Sequence, residues 1–185
     1  MNEELLVLIA GANEVADNVQ NAFGGLVVEQ LNWSPDAESW SIGQCLDHLI
    51  VTNERDFPAI ENTLKENYQN PFWGKMPFLS RFFGGFLVKM CRPENTRRSK
   101  APKIFRPAEG RISGNIVEDF VRHQQKVVRF FELSENQDLK KTKVASLVTS
   151  FVTYSLLDAY RVLVLHEQRH FGQAKRVMET TGFPA

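Results

Sequence analysis

Four stretches of this chain carry apolar residues at a three-to-four-residue period, and that period commits most of the sequence to amphipathic α-helix. The first runs from about Asn2 to Phe23, with Leu5, Leu8, Ala12, Val15, Val19 and Ala22 in register and Gly24-Gly25 as its stop. A loop holding Trp33, Ser34, Pro35 and Trp40 leads to Ser41, whose side chain suits the N-cap of a second helix from Ile42 to about Asn67. That helix stripes Ile42, Cys45, Leu46, Leu49, Ile50, Phe57, Ile60 and Leu64, and Pro58 is expected to kink it. The third runs from near Ser113 to about Phe131, with Ile116, Phe120, Gln124, Val127 and Val128 inward. The fourth runs from about Thr153 to Glu179 without a proline, and ends at Thr181-Gly182-Phe183-Pro184, a normal helix stop. Lys143 to Val152 is β-branched, but short and isolated. The expected fold is all-α: one domain over residues 1–185, a four-helix bundle with a long crossover between helices 2 and 3.

The crossover, residues 68–112, is irregular. Pro71 to Gly74 is a turn-rich aromatic patch. Pro77 to Met90 predicts an extra short helix bearing Phe78, Leu79, Phe82, Phe83, Phe86 and Leu87, weakened by Gly84-Gly85. At that length it is expected on the bundle or in a dimer contact, not across a bilayer. Arg92 to Arg111 is a proline-punctuated loop with Arg92, Arg97, Arg98, Lys100, Lys103, Arg106 and Arg111 against Glu94 and Glu109. It reads either as a solvated basic loop or as an electropositive rim drawing an anionic substrate.

The formal net charge is zero, so no global field argues for nucleic acid or an anionic membrane as partner. The basic loop lacks interleaved aromatic platforms, which further disfavours nucleic acid. Cys45 and Cys91 form no paired pattern, the N-terminus is acidic, and no apolar run is long enough to span a bilayer. The expectation is a cytoplasmic protein with free thiols. No nucleophile elbow, P-loop, Rossmann glycine pattern or C-x-x-C occurs.

The chemistry-bearing feature is His166-Glu167-Gln168-Arg169-His170, in a chain with four histidines. Histidines four apart on a helix stack one above the other and can share a metal ion. With His166 at zero and about 100° per residue, Ala159, Val162, Leu163, His170, Gln173, Ala174 and Val177 fall within roughly 80° of it. Both histidines are therefore expected on the buried face, with Glu167, Gln168 and Arg169 pointing elsewhere. Two readings stay open at this point: imidazoles hydrogen-bonded to neighbouring helices, or two ligands of one metal.

His48 lies at the edge of the apolar arc of helix 2, where position alone decides little. Its context, Trp40-Ser41-Ile42-Gly43-Gln44-Cys45-Leu46-Asp47-His48-Leu49, resembles the entry to helix 2 in DinB-like proteins. These are metal-binding four-helix bundles that include bacterial thiol S-transferases and relatives read as hydrolases. That family carries an H-x-x-x-H pair on its last long helix, which here resembles His166 and His170, with Gln173 following. The resemblance covers nearly the whole chain, and it implies a metal site of His48, His166 and His170. Gln44 departs from it, standing where many relatives carry an acid that would support the metal-binding histidine.

Three imidazoles leave a coordination position open, the arrangement of catalytic sites. Zinc is the default ion; nickel, iron and manganese also accept imidazole. The resemblance implies a hydrolase or a thiol S-transferase acting on a small molecule, with a low-molecular-weight thiol such as bacillithiol or mycothiol as cosubstrate, and it leaves a homodimer open. The alternative is a non-catalytic metal-binding or stress-response module with the 72–90 segment as partner surface. Cys45 reads as a small buried residue more readily than as a soft ligand. His123 reads as a boundary histidine more readily than as a proton-transfer group. Asp47 and Glu167 point about 100° from their histidine neighbours, so neither is expected as general base.

Overall fold

The computed structural model describes residues 2–95, 101–147, 149 and 151–185. Arg97, Arg98 and Lys100 of the basic loop lie outside them. The helices are α1 Glu3–Phe23, α2 Val28–Asn32, α3 Ile42–Thr63, α4 Pro77–Cys91, α5 Ile116–Leu133 and α6 Leu156–Met178, with 3-10 turns at Phe72–Lys75 and Lys103–Phe105. The long helices α1, α5, α3 and α6 each pack against two others, closing a ring in which α1 faces α3 across the diagonal. This is the expected all-α bundle, and α4 is the expected extra helix.

Local chemistry sets the ends. Asn2 caps α1 by accepting from the Glu4 amide. Ser41 and Gln44 cap α3 reciprocally: Ser41 Oγ accepts from the Gln44 amide and Gln44 Oε1 accepts from the Ser41 amide, both at 3.1 Å. α3 continues as helix through Pro58 and stops at Thr63, earlier than its apolar period suggests. Ser155 caps α6 through the Asp158 amide.

Two short elements depart from expectation. The five-residue α2 fills part of what reads as loop, burying Leu31. The β-branched stretch is not isolated either: β1 Lys143–Ala145 pairs antiparallel with β2 Thr153–Ser155, Val144 opposite Tyr154. β2 takes the three residues the helical period assigned to the start of α6. Its edge is covered by α4, whose Ser80 hydroxyl meets the buried Thr153 hydroxyl at 2.8 Å.

Two apolar clusters fill the bundle. One gathers Leu5, Phe57, Phe131, Leu156 and Tyr160 around the hairpin end; the other gathers Val19, Phe23, Leu46, Phe120 and Val177 around the α2 end. The crossover is fastened over the second. The Asn32 amide side chain accepts from the Ile112 N–H at 2.7 Å and donates to its carbonyl at 3.0 Å, and Asp47 accepts from the Ala108 amide at 2.7 Å. Gly43 permits this approach, because a Cβ there would press on the Leu31 carbonyl and the Ile112 side chain.

Candidate metal centre

α3 and α6 pack side by side and bring His48 against His166 and His170. One ring nitrogen from each lies within 4.8 Å of the other two. The closest approach is His48 Nε2 to His166 Nε2, at 3.3 Å. The ring centroids are 4.5–5.1 Å apart and every pair is steeply tilted, so the imidazoles meet in T-shaped, edge-on arrangements and do not stack.

The crossover sets the His48 tautomer. His48 Nδ1 is 2.5 Å from the carbonyl oxygen of Phe105, and a carbonyl can only accept. The proton therefore sits on Nδ1, and the Nε2 lone pair faces the other histidines. Burial, the His48 ring and the Arg169 guanidinium push His166 down to about 3, and burial, the two other imidazoles and Arg169 push His170 further down; burial also lowers His48 against the pull of Phe105 and Asp47. All three rings are neutral near pH 7 and can donate lone pairs.

The donor set fits a divalent transition metal. Two imidazole nitrogens each about 2.0–2.1 Å from one tetrahedral ion stand roughly 3.3 Å apart, which is the spacing of His48 and His166. His170 Nδ1 is buried with no hydrogen-bond partner, so polar capacity at this cluster goes unused by the protein itself. Among the described residues no cysteine or carboxylate joins the three histidines. The three-histidine group could hold a divalent ion and leave a position free.

The helical wheel needs one correction. The buried arc of α6 centres not on His166 but on Glu167, flanked by Leu163, Ala174, Leu156 and Tyr160. Glu167, expected to point away from the core, is fully buried; His170 lies at the edge of the arc and His166 is only half-buried on its flank. The reason is that α6 touches α1, α3 and α4, so its core-facing sector is wider and turned from the histidine stripe. Glu167 Oε1 accepts from Asn53 Nδ2 and Gln124 Nε2, each at 2.8 Å, and burial pushes its carboxyl up to about 7. It pins α6 to α3 and α5 beside the site.

Sequence reasoning also missed two neighbours. Trp40 covers the cluster, its ring 4.7 Å from His48 and 5.8 Å from His170. The Phe105 carbonyl could not be foreseen, because a backbone acceptor carries no sequence signal. Gln44 acts in the α3 cap, so its difference from an acid bears on the helix end and not on the histidines. Asp47 is engaged with the crossover amide. Cys45 is buried in the apolar cluster, its thiol pushed up to about 12 by burial, and stands outside the histidine group. His123 is not a boundary residue: it is buried, stacks on Phe57, and its Nδ1 is 3.3 Å from Glu54. Of the basic loop, Lys103 and Arg106 flank Phe105, so the loop does pass over the site; Arg111 pairs with Glu29 at 2.6 Å.

The model of the DinB superfamily matches residues 13–174. A protein of Bacillus subtilis (strain 168), named uncharacterized protein YuaE, is 28% identical over 170 residues, covering 90% of this chain and 94% of its own. No solved structure matches the chain.

Proposed function

Because the chain belongs to the DinB superfamily, we propose that it is a metal-dependent enzyme, a thiol S-transferase or hydrolase, with His48, His166 and His170 as the ligands. The observation that carries this reading is the locked tautomer of His48, whose Nε2 lone pair faces His166 Nε2 at 3.3 Å. His48 Nε2 meets only another ring nitrogen among the described residues and His170 Nδ1 finds no hydrogen-bond partner, so the cluster keeps donor capacity that an ion would use. Zinc is the first choice of ion, with nickel, iron and manganese as the other candidates.

When bound, such an ion supplies a Lewis acid that lowers the pKa of a water or thiol at the free position. The protein's own residues prepare the place. Trp40 screens the rings from solvent on one side, and the Phe105 carbonyl keeps His48 from rotating. Lys103 and Arg106, which flank Phe105 in the chain, supply positive charge suited to recruiting an anionic low-molecular-weight thiol such as bacillithiol. Glu167 Oε1 is engaged by Asn53 and Gln124, which fixes α6 beside the site. A fourth protein ligand would favour the non-catalytic alternative; among the described residues no further histidine, cysteine or carboxylate joins the three histidines.

The test is metal-dependent turnover. Protein reconstituted with each candidate ion is assayed for consumption of bacillithiol or mycothiol with an aryl chloride electrophile, and, without thiol, for ester and amide hydrolysis. The reading expects one of these activities, abolished by chelation and by His166→Ala. Metal-loaded protein inert in every assay would return the chain to the non-catalytic class.

A further inference from the structure

The outward face of α4 is built in reverse for a helix in water. Its inner side is seated by Ser80 against Thr153 and by Gly84, where a Cβ would collide with the Asp158 carboxylate. A surface helix ordinarily turns its polar residues outward. Here the exposed side chains are Phe78, Phe82, Phe86 and Met90, 69, 66, 53 and 40% exposed, together with Arg81 and Lys89. Four-residue steps advance about 40° each, so the apolar four form one slowly winding stripe with the two cations on its flank. Just before the helix, exposed Phe72 packs edge-on against Trp73, whose ring lies 5.3 Å from exposed Phe151. Charge is segregated in the same place. Residues 72–92 contain Lys75, Arg81, Lys89 and Arg92 and no acid, in a chain of zero net charge.

We propose that this face docks on an anionic lipid bilayer, with α4 lying in the headgroup plane. A contiguous apolar patch of this kind marks an interaction site. The occupant must offer apolar depth to the phenylalanines and negative charge to the flanking cations at the same level. The interface of a bilayer containing acidic phospholipids offers both. A second copy of the chain offers the apolar depth but not the negative charge, because the same 72–92 face on a partner carries cations and no acid. Spanning is excluded for α4, which has 15 residues, about 22 Å of helix; no helix among the described residues is long and apolar enough to cross a membrane.

Co-sedimentation of the full chain with vesicles tests this, using phosphatidylcholine alone and phosphatidylcholine mixed with phosphatidylglycerol. The protein is expected to bind the mixed vesicles and leave the zwitterionic ones, with binding weakened by salt. Phe82→Ser with Phe86→Ser is expected to lower partitioning at least about tenfold, while Phe82→Leu with Phe86→Leu retains most of it. Arg81→Glu with Lys89→Glu is expected to erase the preference for acidic lipid. Circular dichroism melts confirm that the variants fold, and the salt and lipid dependence of the unaltered protein stands without them. No binding to the mixed vesicles, or equal binding by the serine variant, overturns the proposal. So does a dimer seen by analytical ultracentrifugation that the serine variant dissolves, or attachment to an acidic polypeptide such as polyglutamate with none to vesicles.

Discussion

Glu167 shows how one buried acid can serve a site without touching it. Its accepting oxygen holds Asn53 of α3 and Gln124 of α5, so α6 is fixed in rotation just where its histidines project. Glu167→Gln keeps an acceptor for both amides and is expected to change stability by less than about 1 kcal/mol. Glu167→Leu strands two buried donors and is expected to cost about 2–4 kcal/mol by chemical denaturation, and to weaken metal retention as well. The chemistry of this residue was hidden from the sequence because a helical wheel finds the apolar arc, and here a polar residue occupies its centre. The histidine spacing, by contrast, was legible: an i, i+4 pair and a third imidazole in a recognisable helix entry are local signals. The backbone carbonyl that locks His48 is a product of the folded crossover and has no residue type to announce it.

At the scale of elements, the caps and glycines carry the testable weight. Ser41→Ala removes half of the reciprocal cap at the start of α3 and is expected to cost about 1 kcal/mol, read as a lowered denaturation midpoint. The adjacent glycines of α4 are expected to diverge. Gly85→Ala meets nothing within 4 Å and should stabilise by up to about 1 kcal/mol, through helix propensity. Gly84→Ala drives a methyl into Asp158 and should destabilise, with thermal melts giving opposite signs for the two. The sequence treats them alike, as two weak helix formers; only the neighbouring helix distinguishes them. The four long helices were legible because their periods run for several turns. The hairpin was not, since three residues beside a helix cap carry too little pattern to separate strand from helix, and their partner lies across a loop. α2, at five residues, fails for the same reason.

For the whole molecule, net charge is a poor guide to surface: a sum of zero averages away a 72–92 segment that holds cations and no acids. The pH dependence of stability is likewise a sum of opposed groups, best read by difference in metal-free protein. Burial holds His123 down at about 4, so the unfolded chain binds the extra proton between about pH 6.5 and 4, and its contribution is lost as pH falls through that window. Burial raises Asp56 to about 7, so the folded chain keeps its proton longer, and this group lowers stability as pH rises from about 4 to 7. The stability of His123→Phe relative to the parent should therefore increase on acidification, and that of Asp56→Asn on going to neutral pH, both followed by urea denaturation across pH. The central claim concerns one ion per molecule, held by side chains from two helices that meet only in the folded bundle. Elemental analysis of the protein purified from metal-replete cells, set beside His48→Ala and His166→Ala, tests it most directly. The account predicts about one transition metal per chain in the parent and almost none in either variant. A parent without metal, or variants that keep it, would contradict it.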